Sequence, residues 1–464
     1  MSHTVYVVSD LHLGPGRDPA TGRWFQQEDF RIDGAFCDFL GQIGASSAPV
    51  ELVIAGDFIE YPQILPELAH NSPEDGLGCD EEESLLRTAA VLGQRPDLAG
   101  GHPALFAGLR GFLAAGHSIT VLVGNHDIDL LWPSVWDRLA EALTPRRPGG
   151  PLRLAPFQHT VGAAEHGRVL IEHGHEYDPS NRYGLPDEPV FGFDTLGVRR
   201  LRRCWGTLFV DKVFNQLEPQ YWFIDNIKPQ TRALQLGLRH NIGFTAQALL
   251  LVLRFLLTSR PPIAEMLRAS LGDNEDLPLP PEEPSPERLA AMLADRDLGS
   301  FLAARLADLD FRAALESGLR ALGAGEWQRL RLGAARRPTL DLLAPAPPPS
   351  ALEEAWATLS GLDDNDAYTA AARQTLERDP CLGTVVMGHT HMPFDGTERS
   401  LLLSDGRTGH YFNTGTWTPQ LIDRPGHRYC WAELANSANY ASPRSYVVLT
   451  PAADGSYQAK LRRF

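Results

Sequence analysis

Five short apolar runs of this chain end at residues that can bind a metal ion or move a proton. The runs are Thr4–Val8, Glu51–Ala55, Ile119–Val123, Arg168–Ile171 and Gly383–Met387. Their length and composition suit buried strands, and segments with helical periodicity lie between the first three. Strands that alternate with helices predict parallel pairing through crossover connections, so we expect an α/β fold.

The residues that follow these runs are the candidate functional site. Because the carboxyl ends of parallel strands meet at one edge of a sheet, these side chains are predicted to lie together. One such ending is typical of a polar turn, whereas five matching endings indicate a shared site. Carboxylate, amide and imidazole donors in this number favour two divalent ions, Mn, Fe or Zn, that share one carboxylate. The residues are Asp10, His12, Asp57, Asn125, His126, Asp127, His173, His389 and His391.

Periodicity also predicts the remaining elements. Four helices are expected at Glu28–Ile43, Glu81–Leu92, His102–Ala115 and Ser134–Leu143. Further amphipathic helices are expected around Arg288–Leu322 and Gly325–Leu332. Four short strands near the end of the chain are predicted to form the second half of a two-layered sheet. They are His410–Asn413, Cys430–Glu433, Ser445–Leu449 and Tyr457–Lys460.

The strand endings read Asp-x-His, Gly-Asp, Gly-Asn-His-Asp, His-Gly and Gly-His-x-His, in that order. This pattern resembles the calcineurin-like metallophosphoesterase family, and the match covers residues 4–180 and 380–420. The resemblance implies a two-layer sandwich of mixed β-sheets flanked by helices. Residues 1–184 and 376–464 would form this discontinuous catalytic domain, and residues 185–375 a large, mainly helical insertion or cap.

The resemblance also implies roles for individual residues. One metal would take Asp10, His12, Asp57 and His391, and the other Asp57, Asn125, His173 and His389. A hydroxide between the metals would attack phosphorus, while His126 assists the leaving group and Asp127 orients the His126 ring. His175 and Arg182 are candidate substrate contacts, with a loop-fixing histidine and a solvated arginine as the alternatives. Glu60 is expected to support its loop rather than bind metal.

The sequence leaves the substrate open. His126 suits a phosphodiesterase or phosphomonoesterase, because a leaving alkoxide needs a proton. The His-Gly block and the insertion are similar to bacterial UDP-2,3-diacylglucosamine pyrophosphatases, which implies a nucleotide-linked lipid precursor as an alternative substrate. A non-catalytic scaffold, in which the metal core supports a partner-binding insertion, is the alternative from a different class.

Charge separates the insertion from the rest of the chain. The formal net charge of −16 disfavours nucleic acid as a partner, a nuclease substrate included. Residues 185–260 nevertheless contain ten Lys and Arg against six acids, interleaved with aromatic side chains. This segment is predicted to be either a solvated helical cap or a lid that attracts an anionic substrate or rests on an acidic membrane surface. Ile242–Leu257 is strongly apolar but is shorter than a span of about 20 residues.

Location can be predicted from the cysteines and the first residues. Five cysteines are scattered without Cys-x-x-Cys spacing, which favours a reducing compartment. A strand-like run begins at Thr4, and no segment typical of a signal peptide is seen. We therefore expect a cytoplasmic protein, with peripheral contact at the inner face of the membrane as an open alternative.

Overall fold

A computed structural model describes most of the two outer portions of the chain. The described residues are 3–66, 76–144, 151–162, 167–185, 189–227, 365–424, 427 and 429–464, with shorter pieces at 244, 247–248, 250–251, 285–288, 306 and 309–321. The predicted helix Gly325–Leu332 and most of the apolar stretch Ile242–Leu257 lie outside these residues.

The described residues form the following elements. The strands are β1 Val5–Val8, β2 Glu51–Ala55, β3 Ser118–Leu122, β4 Leu152–Leu154, β5 Gln158–Val161, β6 Arg168–Glu172, β7 Phe191–Phe193, β8 Arg199–Leu201, β9 Leu382–Met387, β10 Leu401–Leu402, β11 Thr408–Asn413, β12 Gln420–Leu421, β13 Tyr440–Ala441, β14 Ser445–Pro451 and β15 Tyr457–Arg463. The helices are α1 Asp33–Gly44, α2 Glu81–Val91, α3 Pro103–Ala114, α4 Pro133–Leu143, α5 Trp205–Phe209, α6 Asn215–Leu217, α7 Leu309–Ala321, α8 Asn365–Arg378 and α9 Trp431–Leu434. A π-helical turn, Val210–Phe214, joins α5 to α6. Shorter 3-10 turns lie at Tyr61–Gln63, Ile128–Leu131, His175–Tyr177 and Ser437–Asn439.

Two mixed sheets organise these elements. The first has the strand order β15-β14-β1-β2-β3-β4, and the second has the order β10-β11-β9-β6-β5. Strands β1 to β4 run parallel, and β14 and β15 extend the same sheet antiparallel. In the second sheet β6, β9 and β11 are parallel, with antiparallel strands at both edges. The predicted α/β class with mixed sheets is confirmed.

Hydrophobic packing arranges the sheets face to face. Val53 and Leu122 of the first sheet share a buried cluster with Val169 and Val386 of the second. Helices α1, α3 and α4 cover the outer face of the first sheet, and α8 covers that of the second. Both faces of the parallel strands are therefore buried, which explains why nearly all of their residues are apolar.

Three sequence-based expectations are corrected. Helix α1 begins at Asp33 rather than Glu28, because the buried Glu28 carboxylate accepts hydrogen bonds from the amides of Gly16 and Phe30 and holds a loop. The predicted strand Cys430–Glu433 is wrong, since Trp431–Leu434 is helical and the Glu433 carboxylate caps the Cys430 amide at 2.8 Å. Strands β14 and β15 complete the first sheet instead of building the second. Antiparallel pairing with β1 satisfies the backbone of that strand on its outer side.

Two further observations concern the described helices and the cysteines. Within the described ranges, every helix is too short or too polar to cross a bilayer. All five cysteines are free thiols.

A buried histidine between two carboxylates should make stability depend on pH. The ring of His102 lies 2.8 Å from Asp33 and 3.1 Å from Glu28. Burial lowers the pKa of His102, but the two carboxylates outweigh burial and raise it to about 10. Because this folded value exceeds the unfolded value of 6.5, the stabilisation is complete below pH 6.5 and is lost as pH rises towards 10.

We therefore expect the free energy of unfolding, measured in urea, to fall between pH 6.5 and 10. Each unit of pKa shift corresponds to about 1.4 kcal/mol, so the fall should reach a few kcal/mol. His102→Gln should flatten this dependence. His117→Gln is the matched control, since that ring bonds only the backbone of Val50 and Gly44. Equal pH slopes in the wild type and His102→Gln would contradict the prediction.

Candidate metal centre

The predicted site residues follow neighbouring parallel strands in both sheets. Asp10 and His12 follow β1, Asp57 follows β2, and Asn125 follows β3, all at one edge of the first sheet. His173 follows β6, and His389 and His391 follow the adjacent β9 of the second sheet. Since the sheets pack face to face, both sets of endings reach the same end of the sandwich.

Backbone conformation marks the same residues independently. Among the described residues, seven non-glycine residues have positive φ, and five of them are predicted ligands. They are Asp10, His12, Asp57, His389 and His391. A side chain in this left-handed region costs about 1–3 kcal/mol and persists only where the surroundings enforce it. Such strain concentrates at functional sites, so its location here supports a site at these strand ends.

Glycines next to the ligands permit close packing of the two layers. A Cβ atom at Gly124 would collide with the Asp57 carboxylate, and one at Gly56 would collide with the ring of His173. A Cβ atom at Gly388 would collide with the carboxylate of Asp10. The glycines seen in the sequence are therefore needed where the backbone approaches a ligand.

Three clusters of side chains have the geometry to hold a metal ion. The clusters are Asp10, His12 and His391; His12, Asp57 and His126; and Asp57, His173 and His389. Within each cluster the ligand atoms lie within 4.8 Å of one another. Both His12 and Asp57 belong to two clusters, so the clusters form one continuous centre.

The distances between donor atoms fit ligands of a common ion. The Nε2 atoms of His12 and His391 are 3.0 Å apart, and His391 Nε2 lies 3.4 Å from Asp10 Oδ1. In the other part of the centre, His173 Nε2 lies 3.1 Å from Asp57 Oδ2. Ligands at about 2.0–2.2 Å from one ion are separated by distances of this order.

Hydrogen bonds set the histidine tautomers for metal binding. His12 Nδ1 lies 2.5 Å from a Glu60 carboxylate oxygen, and His173 Nδ1 lies 2.8 Å from the Ala55 carbonyl oxygen. Because these partners only accept, each Nδ1 carries a proton, and Nε2 is the nitrogen that would bind an ion in place of its own proton.

Unsatisfied buried atoms point into the same space. Asp10 Oδ1, Asn125 Oδ1 and His173 Nε2 are buried and make no hydrogen bond of good geometry, although His391 Nε2 and Asp57 Oδ2 lie 3.4 Å and 3.1 Å from the first and the last of them. Leaving such atoms unpaired costs about 1–3 kcal/mol each unless something else binds them. Divalent cations with mixed oxygen and nitrogen ligands would satisfy all three, so the residues present fit metal ions.

The electrostatics of the centre keep its carboxylate ionised. Burial raises the pKa of Asp57, but positive charge on His173 and His126 outweighs burial and holds that pKa well below its usual range. Burial likewise raises the pKa of Glu60, and its neighbours His126 and His12 lower it to about 2. Both groups are therefore anionic at neutral pH.

Glu60 has a larger role than loop support. Its two carboxylate oxygens contact different rings, since Oε2 meets His12 and Oε1 lies 2.7 Å from His126 Nδ1. The prediction that Asp127 orients the His126 ring is wrong. Both Asp127 oxygens accept backbone hydrogen bonds, from Gly124 at 2.6 Å and from Phe58 at 2.8 Å, and so fix the loop. The sequence signal for the role of Glu60 at the two histidine rings is its position three residues after Asp57.

A cavity opens above the centre, and the first part of the insertion forms one of its walls. Its polar floor includes His12, Asp57, Asn125, His126, His389 and His391. Its apolar wall consists of Trp205, Phe209, Val210 and Phe214, from α5 and the π-helical turn. Acidic and amide side chains, Asp29, Asp225, Asn226 and Gln63, line another side. None of these wall residues was singled out as a substrate contact from the sequence.

The two predicted substrate contacts do not line this cavity. His175 is buried behind the centre, with ring centroids 5.3 Å from His173 and 6.5 Å from His389. Burial lowers the pKa of His175, which favours its neutral form. Arg182 is exposed to solvent and lies outside the cavity lining. Two residues of the same loop that the sequence did not place in the site, Asp178 and Asn181, contact His389 and Asn125 instead.

Asp57→Asn should weaken Mn²⁺ binding more than His391→Ala, because Asp57 belongs to two clusters and His391 to one. We expect a loss above about 100-fold for Asp57→Asn, beyond that from removing a residue that only supports a ligand. Isothermal titration calorimetry measures the affinities. Asp97→Asn, at an exposed carboxylate paired with Arg95, is the matched control. Equal affinities of the wild type and Asp57→Asn would contradict the prediction.

Comparison with known proteins adds no relative to this description. No family model matches the chain, and a search of curated proteins finds no match either. The described residues therefore establish, by themselves, a mixed α/β fold with aspartate and histidine clusters that could hold a metal ion at one cavity.

Proposed function

We propose that this chain is a dimetal-dependent hydrolase of phosphate esters with the fold of the calcineurin-like metallophosphoesterases. The observation that carries the proposal is the sharing of Asp57 between two clusters, with His126 facing the same cavity. The order of the five strand endings, which resembles that family, supports it as well. Asp10, His12, Asp57 and His391 would hold one ion, and Asp57, Asn125, His173 and His389 the other.

The donor set decides which chemistry is available. Two ions of Mn, Fe or Zn would supply an activated water and neutralise charge on the phosphate oxygens. The chain itself contributes orientation, because the ligands are held on strand ends and by buried hydrogen bonds. It also excludes bulk water, since Asp10, Asp57, Asn125 and His173 are almost fully buried.

His126 has the surroundings of a general acid. Its Nδ1 faces the Glu60 carboxylate, and its side chain is 17% exposed towards the cavity. A carboxylate at Nδ1 fixes the ring orientation and leaves Nε2 as the nitrogen that would donate a proton to a leaving alkoxide. Glu60 therefore takes the orienting role that the sequence had suggested for Asp127.

The cavity walls favour an ester over an anhydride. Trp205, Phe209 and Phe214 offer apolar contact area to the organic part of a substrate. The acidic side chains of Asp29 and Asp225 also line the cavity and would disfavour a second phosphate group beside them. A pyrophosphate of a nucleotide-linked lipid remains the second candidate, because the same apolar wall would accept its acyl chains.

His126→Ala should lower kcat on phosphate esters by about 100–10,000-fold, the usual contribution of a general acid. The loss should be larger for an alkyl ester than for a nitrophenyl ester, because nitrophenolate leaves without a proton. Glu60→Gln should show the same preference to a smaller extent. His410→Ala, at a ring that bonds the Gly396 carbonyl, is the matched control.

Two results would redirect the proposal. Hydrolysis of nucleotide anhydrides alone would favour the pyrophosphatase. A wild-type protein that hydrolyses neither esters nor anhydrides with Mn²⁺, Fe²⁺ or Zn²⁺ would favour the non-catalytic scaffold, in which the metal core only supports the insertion.

We also propose that the hairpin of β7 and β8 rests on an anionic lipid surface. Phe193 and Leu196 at its tip are 71% and 86% exposed. The Asp194 carboxylate binds the amides of Leu196 and Val198 and the guanidinium of Arg200, so the tip is rigid and its acid is neutralised. A convex apolar tip fits a lipid interface, and the same segment continues into the apolar wall of the cavity.

The wild type should float with vesicles that contain anionic phospholipid, and less at high salt. Phe193→Ser combined with Leu196→Ser should lower the bound fraction at least tenfold, since each buried apolar side chain is worth roughly 1.5–3 kcal/mol. Leu402→Ser is the matched control, because Leu402 is 70% exposed on β10. Lipid binding would be contradicted if the double variant floated as well as the wild type, or if the wild type did not float. Either result would favour a protein as the partner of the hairpin tip.

A further inference from the structure

A chain of hydrogen bonds joins two predicted ligands that come from different sheets. Asn125 Nδ2 donates to Asn181 Oδ1 at 3.1 Å, and Asn181 Nδ2 donates to Asp178 Oδ2 at 2.6 Å. The same Asp178 oxygen lies 3.2 Å from His389 Nε2. All four residues are buried or nearly so. The chain thus connects a ligand after β3 with a ligand after β9.

We infer that Asp178 and Asn181 are positioning residues of the metal centre, which set the amide orientation of Asn125 and the ring tautomer of His389. This inference rests on the metal pair of the proposed function and is independent of the substrate. Neither residue can reach the ions as a ligand while its side chain is held in the chain of hydrogen bonds.

Asp178 fixes the direction of both amides. An ionised carboxylate only accepts hydrogen bonds, so Asn181 must turn its Nδ2 towards Asp178. Its Oδ1 then faces Asn125, which must present Nδ2 in return. The remaining atom, Asn125 Oδ1, is consequently aimed into the centre, where it is buried without a hydrogen-bond partner. If either the Asn125 or the Asn181 amide were rotated by about 180°, two oxygen atoms or two NH₂ groups would face each other.

The same carboxylate fixes His389. Because His389 Nε2 donates to Asp178, the nitrogen of this ring that can bind an ion is Nδ1. In His12 and His173 the Nδ1 atom makes the hydrogen bond instead, and Nε2 is the nitrogen that can bind an ion. A carboxylate behind a metal-binding histidine also raises the basicity of the ring, and its removal typically costs 10–100-fold in affinity. Asp178 therefore orients two proposed ligands of the same ion, Asn125 and His389.

The loop after β6 supplies this carboxylate at a fixed distance from His173. The short helical turn His175–Tyr177 brings Asp178 back towards the centre, and the Asp178 carboxylate caps the Ser180 amide at 2.8 Å. A third ligand of the same ion, His173, is thus held on the same rigid loop as the two positioning residues.

The insertion packs against this hydrogen-bond chain. A Cβ atom at Gly206 would collide with Asn181 Oδ1, and the Gly206 amide donates to the Ser180 carbonyl at 2.8 Å. The hydroxyl of Thr207 donates to the Asn125 carbonyl at 3.2 Å. Gly206 therefore encloses the Asn181 amide oxygen on this side.

The test is Mn²⁺ binding by calorimetry and by electron paramagnetic resonance, which separates an exchange-coupled pair from a single ion. The wild type is expected to bind two ions with a coupled spectrum. Asn181→Leu and Asp178→Asn should keep the ion of the Asp10, His12 and His391 cluster. They should weaken the other ion by about 10–100-fold and give a single-ion spectrum. Asn439→Leu, at a buried amide bonded to Glu433 and Arg424, is the matched control.

Each result distinguishes the inference from the proposed function. Two tightly bound ions in the wild type and in both variants would overturn the inference and leave the proposed function intact. Fewer than two ions in the wild type would overturn the metal pair and the inference with it. Asn181→Asp is a near-isosteric second variant, in case Asn181→Leu does not fold. It keeps an acceptor for Asn125 but repels Asp178, so it should weaken the same ion.

Discussion

The carboxylate of Asp57 holds the two halves of the site together. Its Oδ1 accepts the His126 amide at 2.9 Å, while Oδ2 lies 3.1 Å from His173 Nε2 and 3.7 Å from His12 Nε2. A buried charge with these few hydrogen bonds costs several kcal/mol unless positive charge surrounds it. Imidazoles from both sheets provide that charge, and a divalent cation would fill the same role. The site therefore exists only if the two sheets meet at this point.

The close meeting of the sheets explains why strain and packing occur together. Five ligands lie in the left-handed region, and glycines leave room for the ligand side chains. The unfavourable backbone energy is offset by the apolar core between the sheets and by the helices outside them. A rigid framework on both sides is what keeps donor atoms about 3 Å apart when no covalent link joins them.

The sequence predicted which aspartate and histidine side chains meet at one centre, because each follows a local pattern, an apolar strand that ends in a polar residue. It could not predict partners that depend on tertiary contacts, such as the Glu60 carboxylate between two rings or the bond from Asn125 to Asn181. The strand predicted at Cys430–Glu433 failed because a short run of β-formers was overridden by a helix cap. Strands β14 and β15 join the first sheet because β14 pairs with the free edge of β1. The residues of β14 and β15 themselves do not indicate which sheet they join.

The insertion lines the cavity and also packs against residues of the candidate metal centre. Trp205, Gly206 and Phe209 line the cavity, and Gly206 and Thr207 also pack on Asn181 and on the Asn125 backbone. One turn of α5 therefore contributes to the cavity wall and contacts two residues of the hydrogen-bond chain behind the proposed ligands. Movement of this turn would change the shape of the cavity and the geometry of the metal cluster together. The shape of the cavity and the geometry of the aspartate and histidine clusters therefore depend on the same turn.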